Sequence, residues 1–355
     1  MRIVLTLFFF TIYSFCTAQV TGGESIYQFL RLSNSAHATG MGGMIVSNPS
    51  EDVAFAFANP ALLRPSLHNQ LSINQNFFIT GSSYSNTMYA SYSPKLKTTF
   101  AGGISYMNHG KITATNYFGQ TLNNVMATEI CAQISASKSY KKKWRGGASL
   151  KFVNSQLADL QSAGLMADAG VIYFDTAKQL YVGMLAKNIG FQFNKYSTQS
   201  GSEPLPFDMQ LGISKKFLKA PFRLNAIVHH LYQWDIRYDN PADKVDNSFF
   251  GNTDTAVNTY FADKLFRHFN FGVDLLLGKR LELNVGYSHQ RRGELALKEK
   301  LGMAGFSFGV GLNFPKFNLH YGRNVYNLAG TNNEIGINFK MKEMFGLGKS
   351  AIGDW

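Results

Sequence analysis

The residues of this 355-residue chain that invite a search for chemistry are eight histidines, two cysteines and a cluster of glycines. His229 and His230 are adjacent, and neighbouring side chains on a strand point to opposite faces, so they read as two wall residues and not as a chelating pair. His109, His268, His289 and His320 fall in separate segments with no metal-ligand spacing. Cys131 lies between Ile130 and Ala132, outside any nucleophile motif, and no Gly-x-Ser-x-Gly elbow occurs. Gly40, Gly42 and Gly43 miss a dinucleotide fingerprint, because Ile45 stands where the third glycine belongs and no βαβ pattern surrounds them. No catalytic constellation emerges, so no enzyme activity, cofactor or metal is expected.

The elements that carry these residues are strands. Charged residues are 16%, against about 25% in soluble domains, while 33 glycines, 14% aromatics and only 9 prolines suit sheets and tight turns. Residues 1–18 read as a secretory signal: Arg2, an apolar run over 3–15, and small residues before Gln19. The run is too short for a membrane helix, and no later segment is longer. Removing it leaves Cys131 as the single thiol, so no internal disulfide is expected.

Beyond residue 70 the apolar residues alternate with period two. Leu281, Leu283, Val285 and Tyr287 interleave with Glu282, Asn284, Gly286 and Ser288; the same pattern runs through Phe306–Phe314, Ile335–Phe339 and Ile130–Ala136. The spacing predicts fourteen strands: 70–79, 86–93, 98–107, 127–139, 144–156, 164–174, 180–189, 208–214, 221–235, 266–277, 281–290, 302–314, 317–326 and 332–341. Short links follow strands 2, 4, 6, 8, 10 and 12, and longer stretches lie at 108–126, 190–207, 236–265 and 291–301. Alternation alone also fits a soluble β-sandwich. The connection lengths and a polar face of Ser, Asn, Gln and Gly instead favour an all-β transmembrane β-barrel of about 14 antiparallel strands.

The expected organisation is a signal at 1–18, an N-terminal plug or hatch at 19–69, an outer-membrane barrel at 70–341 and a periplasmic tail at 342–355. Small residues around Gly42, Gly43, Asn59 and Pro60 suit close packing inside a lumen, although a tail lying under the barrel would have the same composition. The long loop at 236–265 mixes Tyr238, Phe249, Phe250, Tyr260 and Phe261 with six aspartates over 235–263. Such a loop either docks a protein partner or folds over the barrel mouth and buries its own aromatics.

The run from Gly22-Gly23-Glu24-Ser25 through Phe29-Leu30, Ser35-Ala36, Gly42-Gly43 and Asn59-Pro60-Ala61-Leu62 resembles the start of the PorQ family of the Bacteroidetes type IX secretion system. Further matches are Leu185–Gly190, Glu203–Phe207, His230–Asp235 and Tyr287–Leu295. Asn-Pro-Ala and Lys-Asn-x-Gly are shared with the related PorV. The resemblance implies a FadL-like barrel with its N-terminal segment folded into the lumen. It also implies a place in the surface attachment complex, beside the sortase PorU, the shuttle PorV and the surface protein PorZ, where secreted cargo is joined to anionic lipopolysaccharide. By that likeness the chain anchors PorZ and is not the catalyst. The alternative is a FadL-like passive transporter of hydrophobic solutes across the outer membrane.

The net charge of +12 invites a nucleic-acid partner, but its location excludes one. The six short links hold twelve bases, from Lys95 to Lys316, against the single acid Asp175, which equals all the net charge left once Arg2 departs with the signal. The expectation is therefore short basic turns on the periplasmic side, near outer-membrane lipids, with long loops outside.

Overall fold

The computed structural model describes residues 25–78, 81–197, 203–237, 261–295, 302–326 and 330–346. The expected signal, the docking-loop residues Tyr238, Phe249, Phe250 and Tyr260, and most of the expected tail lie outside the described residues. The strands are β1 (Gln70–Phe77), β2 (Ser83–Ser93), β3 (Thr98–Thr115), β4 (Thr121–Tyr140), β5 (Trp144–Leu157), β6 (Leu160–Asp175) and β7 (Leu180–Asn194). They continue with β8 (Asp208–Lys216), β9 (Phe222–Val228), β10 (Phe269–Leu277), β11 (Leu281–Ser288), β12 (Phe306–Asn313), β13 (Phe317–Val325) and β14 (Thr331–Lys340).

Each strand pairs antiparallel with the next, and β1 pairs with β14 from Gln70↔Lys340 to Phe77↔Asn333, closing a fourteen-stranded barrel. Closure leaves no sheet edge in the bilayer, where each unpaired backbone group would cost several kcal/mol. The alternation resolves with apolar side chains outward: Ile73, Phe100, Ile134, Leu150, Val171, Ile213, Val285 and Ile335 are exposed. Their polar neighbours Ser72, Ser135, Ser149, Asn284 and Glu334 are buried in the lumen. An apolar outer wall on a closed ladder is the architecture of an integral outer-membrane β-barrel.

Strict antiparallel order puts the six links at 94–97, 141–143, 176–179, 217–221, 278–280 and 314–316 on one rim, with the start of β1 and the end of β14. The opposite rim carries the longer connections and two short helices, α3 (Phe261–Arg267) and α4 (His289–Leu295). Before β1 the chain forms α1 (Ala36–Gly40), α2 (Phe55–Ala58) and a 3-10 turn at Pro60–Leu62, all buried against the inner wall. A last helix, α5 (Met341–Phe345), follows β14.

Several expected boundaries are corrected. The stretch 108–126, expected as a loop, is hairpin: Ile112, Thr113 and Val125 continue the ladder, and the chain turns only at Asn116–Gln120. The strand expected at 221–235 ends at Val228, and two residues on, His230 adopts a left-handed φ of 54°, outside the extended region of a regular strand. The expected strands at 266 and 302 start later, at Phe269 and Phe306, and the one expected to reach 290 gives way to α4 at His289.

Candidate functional site

Glycines on the inner wall seat the plug. A Cβ on Gly322 would lie 2.1 Å from the Ala36 carbonyl oxygen, and one on Gly286 would lie 2.3 Å from the Met41 carbonyl carbon. Gly147 and Gly170 form the matching seat for Asn59-Pro60-Ala61, where added Cβ atoms would come within 2.5 Å of the Ala61 nitrogen and 2.1 Å of Asn59 Oδ1. The plug residues singled out in the sequence meet the wall here. Gly42 and Gly43 take φ values of 97° and 87°, and the Gly42 carbonyl accepts from Asn270 at 3.0 Å and from Arg291 at 2.5 Å. Asn59 accepts from the Ala61 N–H at 3.0 Å, caps the turn that Pro60 begins, and donates to the Val46 carbonyl at 2.7 Å.

A charge cluster holds α1 in place. His37, fully buried, sets Nε2 3.3 Å from Asp274 Oδ1 and 3.1 Å from Glu282 Oε1, and its ring stacks on His320 at 5.0 Å. Arg223 supplies the second positive charge, 3.2 Å from Asp274 Oδ2 and 2.8 Å from Asn48 of the plug. Burial opposes a charge on His37, but the Glu282 and Asp274 carboxylates outweigh it and hold the imidazole up at about 10. Two cations thus meet two carboxylates, and the cluster balances without a metal. On the far wall Lys151 pairs with Asp168 at 2.6 Å and donates to Asn188 at 2.9 Å.

The long-loop end of the lumen holds a cavity of about 260 Å³, lined by apolar Leu30, Ile45 and Phe55, the bases Arg31, Lys187 and Arg291 and the acids Asp208 and Glu294. His230 lines it with His229 beside it, and here the structure overturns the opposite-face reading. The left-handed turn at His230 brings the two Nδ1 atoms to 2.6 Å, with the Asp208 carboxylate close by. These three residues are ligand types within 4.8 Å of one another. Arg31 donates to His230 Nε2 at 3.0 Å, which leaves the ring proton on Nδ1 to donate to His229 Nδ1. Burial, with His230 alongside, pushes His229 down to about 3, so it accepts as a neutral ring. The ring–ring bond occupies both Nδ1 atoms and leaves His229 Nε2 without a partner among the described residues, while Arg31 stands where a metal-bound His230 would carry its own N–H, so the residues present do not favour a metal at the Nδ1 pair.

Outside the lumen, β3 and β4 run on alone. Their partners stop at Ser83↔Asn108 and Ala127↔Leu157, so the hairpin projects roughly 25 Å past its neighbours. At its tip Tyr117 and Phe118 are 98% and 83% exposed and meet edge to face at 5.7 Å. Leu122 and Met126 are exposed below them, and no charged residue lies between Lys111 and Glu129. Of the expected docking residues, Phe261 alone is described: it opens α3, 67% exposed, with its ring 5.3 Å from Trp234. Asp263 pairs with Arg267 within α3 at 2.8 Å and ties α3 to α4 through His289 at 3.1 Å. The sequence reading passed over Tyr117 and Phe118, although an aromatic pair before Gly119 in an uncharged run was a usable signal.

No family model matches the chain, and no curated protein matches it. Among solved structures it is similar to the TodX monoaromatic hydrocarbon channel (deltaS2 mutant), at 13% identity over 85% of this chain and 96% of that one, with a TM-score of 0.50. The CymD monoaromatic hydrocarbon channel follows at 13% identity, 87% and 96% coverage and 0.49. A Pseudomonas aeruginosa FadL homologue follows at 11%, 87% and 98%, and 0.46. At its identity the TodX likeness is one of fold, a closed FadL-like outer-membrane barrel.

Proposed function

We propose that the chain is a plugged outer-membrane scaffold of the PorQ kind, anchoring the surface protein PorZ in the type IX attachment complex with PorU and PorV. The observation that carries this reading is the β3–β4 hairpin, which ends in two almost fully exposed aromatics with no charge nearby to keep it solvated. Exposed uncharged edges and aromatic tips are costly unless a partner covers them, and aromatics dominate the energetics of interfaces. On the usual barrel orientation the hairpin faces outward and the short turns face the periplasm. The stretches resembling PorQ support the same reading, and the His230–Asp235 stretch lies at the long-loop mouth. No reaction is assigned to the chain; its buried polar groups hold the plug.

A second reading, passive transport of hydrophobic solutes, is favoured by the apolar residues Leu30, Ile45 and Phe55 in the lining of the 260 Å³ cavity. Purification in mild detergent followed by mass spectrometry separates the two. A stoichiometric surface-protein partner supports the scaffold, whereas an isolated barrel carrying a lipid in its lumen would sink it.

A further inference from the structure

The short-turn rim is basic all the way round. Ten of its twelve bases are exposed, with Lys215 and Lys216 half-buried. Among the described residues these twelve make one ion pair, Lys143 with the lone acid Asp175 at 2.7 Å. The bases come with apolar companions. Leu96 lies between Lys95 and Lys97, Tyr140 precedes Lys141–Lys143, Phe217 and Leu218 precede Lys219, Leu277 precedes Lys279 and Arg280, and Phe314 precedes Lys316; all these companions are exposed. Only the turn with Lys178 lacks one. Trp144 and Tyr173, in edge contact at 5.2 Å, begin the lipid-facing wall beside the Lys141–Lys143 turn.

We propose that this rim is a binding ring for anionic phospholipid headgroups, each turn placing its bases at the phosphates and its apolar companion in the acyl layer beneath. Three observations select a leaflet over a soluble acidic protein. The bases are spread over all six turns, so what meets them must encircle the barrel; a docked protein would cover one arc. The apolar companions continue the lipid-facing wall at five of the six turns. The charge is complementary to anionic headgroups, which attract Lys and Arg held near the membrane surface. The inference stands whether the barrel is a scaffold or a transporter.

Tryptophan quenching tests it. The chain has three tryptophans, and Trp234→Phe with Trp355→Phe leaves Trp144 as the reporter at this rim. The barrel is reconstituted in phosphatidylcholine vesicles containing either brominated phosphatidylglycerol or brominated phosphatidylcholine as the minor component. The expected result at low salt is stronger quenching by the glycerol lipid, with a local preference of roughly fivefold for each engaged base. That preference should vanish in 1 M salt, where the Debye length is about 3 Å. It should fall toward parity in Lys141→Gln/Lys142→Gln and persist in Lys111→Gln/Lys195→Gln at the other rim. Equal quenching by the two lipids in the salt-sensitive range overturns the proposal and leaves an acidic protein as the ring's occupant. A preference that survives Lys141→Gln/Lys142→Gln overturns it as well. Heat-modifiable gel mobility verifies that each variant remains a folded barrel.

Discussion

The two rims of the barrel treat charge in opposite ways. On the long-loop rim, among the described residues, acids and bases meet at the two short helices: Asp263 is shared by Arg267 and His289, and Lys264 reaches Asp235 at 2.5 Å, while the aromatics Tyr117 and Phe118 face outward. On the short-turn rim nearly all the bases are left to the surroundings, and the large apolar residues serve beside them. The difference teaches what each end addresses. Internally neutralised charge with bare aromatics fits a protein surface, whereas unneutralised charge around a full circle fits a lipid leaflet.

The contrast breaks most sharply if the projecting hairpin is removed. Replacing 110–127 by a two-residue Asn-Gly turn is expected to abolish partner capture in detergent pull-downs while the barrel keeps its heat-modifiable mobility; loss of that mobility would show the hairpin to be structural. Next comes His37→Ala, which strips one cation from a buried balanced cluster and should weaken plug seating by about 3 kcal/mol. Proteolysis of segment 25–69 measures it, and unchanged protection would contradict the cluster's role. Tyr117→Ala/Phe118→Ala should cost about 2 kcal/mol of partner affinity, roughly thirtyfold, by surface plasmon resonance.

A pH series sharpens the plug's part in the comparison. The His37 imidazole sits at about 10 in the folded barrel against an ordinary 6.5, so its contribution is complete below 6.5 and fades as pH rises through 10. Plug protection should therefore decline over that window in the wild type and decline less in His37→Gln. The smallest effect is the most discriminating: Lys141→Gln/Lys142→Gln should change partner affinity by less than about 0.5 kcal/mol. A large loss there would mean that the rims do not divide the work.

Much of the barrel was legible because the bilayer enforces a simple rule. Lipid outside and a polar lumen inside impose period two on residues such as Leu281 to Ser288, and antiparallel order then assigns every turn to a rim. The plug's chemistry was less legible. His37, Asp274 and Glu282 are far apart in sequence and converge only when the barrel closes, although a lone Glu282 or Asp274 on an otherwise Asn and Gly face was a clue. The His229–His230 pairing was misread because a single residue at positive φ cancels strand alternation, which the neighbouring residue types do not announce. The hairpin was hidden by its own uncharged, turn-rich composition.

The plug also straddles the closing seam of the barrel. The Ala36 N–H donates to Asn74 of β1 at 3.2 Å, while Thr39 donates to Glu334 and the Glu51 carbonyl accepts from Asn338 at 2.6 Å, both on β14. Seating the N-terminal segment and joining the first strand to the last are thus linked equilibria, and linkage is reciprocal. The free energy by which a seated plug steadies the seam equals that by which a closed seam steadies the plug, so a ligand or partner that loosened the plug would weaken the seam by that coupling. The first described stretch of the chain therefore acts as a fastener for the last strand, so opening the lumen also loosens the wall.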